Sequence, residues 1–240
     1  MAEDREVAGV HAAETKGGAD EYFNYPRPEI IKHVSSEAKL VLDVGCGSGT
    51  VGRCIKDKNP TASVDGIEFF EQAAERAKKY LNNVFEIDIN FLEANFSRTL
   101  YDTIICGDIL EHLLNPQNAL KALRQRISAK GTLICSIPNT GHWTVVLPLI
   151  LDDVFTYRDQ GLLDRTHVHL LTLREALMLL QECGWNHRKI ECTKIPVNDG
   201  AKAFSEEYID LICKTNTLLP RNEALQRIEA YQYIIICDPI

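Results

Sequence analysis

Short apolar runs and amphipathic stretches alternate along the chain. Lys39–Val44 (KLVLDV), Ser63–Ile67, Val84–Ile87, Tyr101–Cys106 (YDTIIC) and Gly131–Ile137 (GTLICSI) are apolar and rich in β-branched residues. That is the texture of strands covered on both faces. Between them lie Val51–Lys58, Phe69–Leu81 and Asn115–Ser128, read as helices. In the second, Ala73, Ala74, Ala77 and Leu81 recur at helical spacing; in the third, Leu120, Leu123 and Ile127 line one face. Asn115 is placed to cap that helix, with Pro116 at its first position. Strand–helix alternation at this pitch predicts a doubly wound α/β fold, a mostly parallel sheet with helices on both faces.

The rhythm breaks at residues 138–170, which hold Pro138, Pro148, Trp143 and the histidines His142, His167 and His169. A stretch this long between regular elements predicts a substrate cap or lid with a short helix of its own. Thr172 then opens a helix with a T-x-x-E capping box to Glu175, and Leu173, Ala176, Leu177 and Leu180 form its buried face. Gly184 ends it. His187–Ile195 reads as a strand, Phe204–Thr215 and Arg221–Glu229 as a helical pair, and Tyr231–Cys237 (YQYIIIC) as the closing strand of seven. Residues 1–20 are polar, Gly- and Ala-rich and without pattern, so a flexible tail is expected there. Residues 21–240 are expected to form one domain, with 138–170 as its cap. The segment YFNYPRPEIIKHV from Tyr22 suggests a short packed helix.

Composition narrows the classes. In 240 residues, 26 basic against 34 acidic side chains leave a net charge of −8. That opposes a broad nucleic-acid footprint. No apolar run reaches the ~18–20 residues of a membrane span, and the N-terminus lacks the apolar stretch of a secretory signal. None of the eight cysteines forms a C-x-x-C pair; they read as small buried hydrophobes in a reduced, cytoplasmic setting.

Leu40–Gly49 (LVLDVGCGSG) carries the chemistry: an apolar strand, a glycine-rich turn, then a helix. Glycines admit positive φ and close backbone approach, and the helix start beyond offers free N–H groups. Residues 47–52 also match the dinucleotide pattern G-x-G-x-x-G. Asp43 discriminates, because a carboxylate beside the loop opposes a pyrophosphate and suits a ligand carrying an ammonium and a sulfonium, S-adenosylmethionine.

The segment VLDVGCGSG closely resembles motif I of the class I S-adenosylmethionine-dependent methyltransferases, and the resemblance runs from about Tyr22 to Trp185. It implies that Gly45, Cys46, Gly47 and Gly49 line the cofactor. It puts Glu68, followed by Phe69, on the ribose hydroxyls, and Asp88 and Ile89 at the adenine edge. Gly107 and Asp108, after the fourth strand, would meet the methionine part. Arg27 precedes motif I by about the distance of an arginine that binds the cofactor carboxylate in related enzymes; a surface role is the alternative.

The stretch Asp108-Ile109-Leu110-Glu111-His112 resembles an E-x-x-E-H segment of ubiquinone-pathway O-methyltransferases and small-RNA 2′-O-methyltransferases, where it binds a divalent metal. Here the first residue is Asp. If the stretch starts a helix, Asp108 shares a face with Glu111 or His112. The preferred reading is metal-free, with the segment capping the helix and lining the cofactor pocket. The string GLLDRTHVHLLT resembles a segment after the fifth strand in a subgroup that often modifies glycans and other hydroxylated small molecules. An alcohol acceptor needs a general base near neutral pH. His167 or His142 is the expected base, with Asp164 orienting an imidazole, Arg165 in a salt bridge, and His112 a further candidate; a structural Asp164–Arg165 ion pair is the alternative. The expected reaction is S-adenosylmethionine-dependent O-methylation of a small molecule or sugar. N-methylation, RNA 2′-O-methylation with a metal at Asp108, Glu111 and His112, an NAD(P)-dependent oxidoreductase disfavoured by Asp43, and a non-catalytic cofactor-binding protein are the rivals. The segment Phe204–Ile240 could pack on the sheet or contribute to a homodimer.

Overall fold

A computed structural model describes residues 25–195, 199–216 and 220–240. The expected tail at 1–20 lies outside them. Seven strands form one sheet in the order β3-β2-β1-β4-β5-β7-β6. They are β1 (Leu40–Val44), β2 (Ser63–Ile67), β3 (Asn83–Phe85), β4 (Tyr101–Gly107), β5 (Ile127–Pro138), β6 (Trp185–Lys194) and β7 (Ala230–Pro239). Strands β1 to β5 pair in parallel, and β7 runs antiparallel between β5 and β6. The helices are α1 (Pro28–Ile31), α2 (Thr50–Lys58), α3 (Glu71–Ala77), α4 (Pro116–Arg124), α5 (Trp143–Asp152), α6 (Leu173–Glu182), α7 (Asp199–Thr215) and α8 (Arg221–Glu229). No helix of the described residues is long and apolar enough to cross a membrane.

Alternation along the strands splits the core in two. Leu42, Val44, Ile104, Cys106 and Ile235 face α4, α6 and Trp185. Val41, Ile105, Ile234 and Ile236 face Ile30 and Ile55 on the other side. The cysteines in the apolar strands, Cys106, Cys135 and Cys237, are fully buried and unpaired, as small hydrophobes.

Several boundaries moved, each for a local reason. The helix expected over Asn115–Ser128 stops at Arg124, because the Tyr101 N–H donates to Arg126 O (2.8 Å) and Tyr101 pairs with Ile127. Ile127 thus opens β5 rather than closing a helical face. The helix expected over Phe69–Leu81 starts later, since the Glu68 carboxylate holds the Phe70 N–H (2.9 Å) and keeps Phe70 extended. The expected third strand, Val84–Ile87, starts one residue earlier, where Asn83 pairs with Asp65, and ends two residues earlier at Phe85, opposite Ile67 at the end of β2. The capping box at Thr172 and Glu175 is formed, and Gly184 (φ 85°) leads into buried Trp185.

The stretch 138–170 contains α5 and then irregular chain. It is stitched to the insertion between β6 and β7. Asn139 Nδ2 donates to Arg227 O and Ala230 O (2.9 and 2.7 Å), and Trp143 Nε1 donates to Ile195 O (2.9 Å). Trp143 also packs on Ile209, Ala224 and Ile228 of α7 and α8. The chain runs from β1 to β2 and β3 on one side, then to β4 and β5 on the other, so the loops after β1 and β4 diverge and open a cleft.

Candidate functional site

The chain leaves β1 through Gly45 (φ 73°), Gly47 (φ 53°) and Gly49 (φ 80°) before α2 begins. These dihedrals disfavour any residue with a Cβ. At Gly49 a Cβ would also lie 3.0 Å from the Ala77 Cα. The N–H groups of Gly45 and Cys46 both donate to Ile67 O (2.8 and 3.0 Å), pinning the turn to the end of β2. The Cys46 side chain is buried in the second core, so close to Gly66 that a Cβ there would meet Sγ at 2.5 Å. With its N–H also committed, Cys46 packs the back of the loop.

Glu68 is buried at the end of β2 and accepts from the Gly47 N–H (2.8 Å) as well as from Phe70. Burial raises its pKa and those N–H bonds oppose the rise. A carboxylate has acceptor capacity beyond two such bonds, and Phe69 stands exposed beside it. Asp88 accepts from the Asn90 N–H (2.9 Å) and caps a single 3₁₀ turn, Ile89–Phe91, with Ile89 in the core. Asp43 is buried, and its Oδ2 has no partner among the described residues. Burial drives its pKa up to about 7; Arg27 opposes the shift and Glu68 adds to it. A buried carboxylate with an unpartnered oxygen at the mouth of a glycine turn fits a cationic ligand and repels a pyrophosphate.

At the end of β4, Asp108 is held at φ 50°. Its carboxylate receives Arg27 Nη1, Ser136 Oγ (2.5 Å) and Gln232 Nε2, and its N–H donates to Ser136 Oγ (2.9 Å). Arg27 is left-handed too, at φ 46°. Two strained residues joined by an ion pair at the cleft mark a constrained site. Ser136 and Gln232 come from β5 and β7, and nothing in their local sequence singled them out.

Leu110–His112 forms one 3₁₀ turn rather than the start of an α-helix. The expected Asp108–Glu111–His112 set is therefore not assembled; the Asp108 carboxylate is engaged elsewhere. Instead Glu111, His112 and His167 bring ligand atoms within 4.8 Å of one another. Glu111 is 1% exposed, and neither carboxylate oxygen has a hydrogen-bond partner among the described residues. Burial raises its pKa well above the carboxylate range, and the charge of Asp108 adds to this. The His112 and His167 rings meet edge to face with centroids 4.8 Å apart. His112 Nδ1 lies 3.2 Å from Thr166 O, and His167 Nδ1 lies 3.1 Å from Leu162 O. A carbonyl only accepts, so Nδ1 is the donor in each ring, and in a neutral ring that leaves the lone pair on Nε2. Burial, with His167 adding, lowers the His112 pKa.

The other expected residues have other partners. Asp164 accepts from Thr166 N–H (2.8 Å) and Thr166 Oγ1 (2.7 Å), and touches no imidazole directly. Arg165 pairs with Asp159 (3.0 Å) on the surface, not with Asp164. His142 is wholly buried at the start of α5. Its Nδ1 accepts from the Thr144 N–H (3.3 Å) and lies 2.8 Å from Thr144 Oγ1; Nε2–H donates to Ile195 O (3.2 Å). Both nitrogens are spent and burial lowers the pKa, so His142 is a structural cap and not the base.

Residues 23–190 match the family described as a methyltransferase domain. The chain belongs to this methyltransferase-domain family. S-adenosylmethionine is accordingly its cofactor. A ubiquinone biosynthesis O-methyltransferase of Rickettsia canadensis is 30% identical over 134 residues, 54% of this chain and 56% of its own. The Neisseria meningitidis protein of the same name is 29% identical over 113 residues, 45% of this chain and 47% of its own. The chain thus spans about half the length of the curated relatives it matches. Among solved structures, a methyltransferase of Archaeoglobus fulgidus superposes with a TM-score of 0.61 at 18% identity, covering 94% of this chain and 96% of its own. An O-methyltransferase of Brevibacillus brevis, in complex with S-adenosylhomocysteine, gives 0.54 at 20% identity over 88% of this chain and 69% of its own. These two share the fold of the methyltransferase.

Proposed function

We propose that this methyltransferase methylates a hydroxyl of a small molecule, sugars included, with His167 as the general base. The observation that carries the reading is the Glu111–His112–His167 group beside Asp108, with a lone pair on each Nε2. The relatives' names support oxygen over nitrogen as the acceptor atom. The cofactor supplies an electrophilic methyl on a sulfonium. His167 Nε2 takes the hydroxyl proton as the oxygen–carbon bond forms and the carbon–sulfur bond breaks, leaving a neutral thioether. The remaining contribution is positioning: Asp43 and Glu68 line the cofactor's side of the cleft, with Arg27 and Asp108 at its methionine end. The net charge of −8 favours a neutral or cationic acceptor over a polyanion.

Glu111 favours a second reading of the same group. A buried carboxylate without hydrogen bonds beside two imidazole lone pairs fits a divalent cation. Glu111, His112 and His167 would hold it, and it would lower the pKa of an acceptor hydroxyl.

Calorimetry with S-adenosylmethionine and with NAD tests the cofactor. Transfer of a tritiated methyl group into a metabolite extract, with and without chelator, tests the reaction. Binding of the former ligand and label in an ether product are expected. Binding without any transfer would overturn the enzymatic reading. Loss of transfer with chelator would select the cation over the His167 base.

A further inference from the structure

We infer that Thr166, held by Asp164, is a positioning residue that fixes the orientation and tautomer of His112 from across the boundary between cap and sheet. The inference rests on the proposed role of the Glu111–His112–His167 group.

His112 belongs to the turn after β4, whereas Thr166 belongs to the cap segment after β5. Thr166 offers His112 Nδ1 two oxygens at once, its carbonyl at 3.2 Å and its hydroxyl at 3.0 Å. The direction of the hydroxyl contact is set by Asp164. The single Thr166 hydroxyl proton goes to Asp164 Oδ1 at 2.7 Å, and an ionised carboxylate only accepts. Thr166 Oγ1 therefore turns lone pairs toward the ring, and His112 Nδ1–H donates to both oxygens. An Nε2–H tautomer would set the ring's lone pair against them. The same Asp164 oxygen also takes the Thr166 N–H at 2.8 Å, which closes the turn that aims both oxygens at the ring.

The segment is docked independently of this contact. The N–H groups of Val168 and His169 both donate to Glu111 O, at 2.8 and 3.0 Å, and His167 N–H donates to Asp164 O at 3.0 Å. One short stretch thus presents His167, whose Nδ1–H is spent on Leu162 O, and orients His112 opposite it. This hydrogen-bonded support is what a reactive imidazole or a metal-binding imidazole needs on its far nitrogen. Asp164 accordingly orients an imidazole, but through a threonine hydroxyl and on a histidine of the turn after β4.

The test uses full-length protein with ¹⁵N-labelled histidine, wild type and the variants T166V, T166S and D164A, in the presence of S-adenosylmethionine. Long-range proton–nitrogen correlation spectra read the tautomer, with the His112 signals assigned by loss in H112Q. The wild type is expected to show the Nδ1–H form. T166V puts a methyl group where Nδ1–H has its nearer acceptor, and D164A opens the turn that aims the carbonyl, so both are expected to show a tautomer mixture, and T166S to restore the wild-type spectrum. Methyl transfer to the acceptor should fall roughly 10-fold or more in T166V, with KM for S-adenosylmethionine unchanged, and recover in T166S. A wild-type His112 in the Nε2–H form would overturn the inference without recourse to any variant. So would a wild-type spectrum in a folded T166V, or equal losses in T166V and T166S. If the wild type transfers no methyl group to any acceptor, the proposed function fails, while the spectra still decide the role of Thr166.

Discussion

Asp43→Asn should stabilise the cofactor-free protein by an amount that grows from about pH 4 and levels off above about pH 7. The Asp43 carboxyl is buried at the end of β1 with an unpartnered Oδ2, and its pKa rises from 3.8 to about 7. Between those values the unfolded chain has released a proton that the folded chain retains, so the folded state loses stability as pH rises. The loss is absent below the unfolded value and complete above the folded one. About three pH units at 1.36 kcal/mol each give about 4 kcal/mol. A carboxamide has the shape of the protonated carboxyl and cannot ionise. The variant should therefore match the wild type near pH 4 and exceed it by about 4 kcal/mol at pH 8. Urea unfolding of both proteins, without cofactor, across pH 4–8 gives the difference directly. A difference that is flat with pH, or that grows toward acid, would refute the account of Asp43 as a buried carboxylate lacking its counter-charge. With S-adenosylmethionine added the ranking should reverse, since only the wild type gains a cation partner.

His142→Ala should cost at least about 2 kcal/mol through the lost helix cap and buried hydrogen bonds, while methyl transfer per folded molecule stays at the wild-type level; a urea melt paired with an activity assay checks both. Gly49→Ala places a Cβ at φ 80° and 3.0 Å from Ala77 Cα, so it should lose about 1–2 kcal/mol from the dihedral alone, read as a lower Tm, and bind S-adenosylmethionine more weakly by calorimetry. Thr172→Ala removes the capping box of α6 and should cost about 1 kcal/mol in urea unfolding, with cofactor affinity unchanged.

The residues legible in the sequence are those whose role depends on near neighbours. KLVLDV is a buried strand wherever it pairs, and the turn GCGSG needs positive φ at its glycines whatever surrounds it. Thr172 and Glu175 cap a helix through a contact three residues long. The same locality explains the misplaced edges. Ile127 fits a helical face by spacing, yet strand pairing with Tyr101 claims it. His142 and His167 look alike in sequence, each a histidine in an irregular stretch. Thr144 caps Nδ1 of the former locally, but only the packing of α5 against Ile195 spends its Nε2 as well, whereas the Leu162 carbonyl engages just the Nδ1 of the latter.

The alternation of strands and helices, the glycine-rich loop and the acidic residues at the ends of β1 and β2 were thus determined by the sequence itself, because backbone dihedrals and apolar periodicity act over a few residues. The tertiary structure alone decided which side chains meet at the cleft. It drew Arg27, Ser136 and Gln232 onto Asp108, turned Cys46 into the core, and exchanged Asp108 for His167 in the carboxylate–imidazole group. Those contacts join residues from 28 to 124 positions apart within Asp108's own network, and such pairs form only when the sheet order and the docking of the cap bring their strands together.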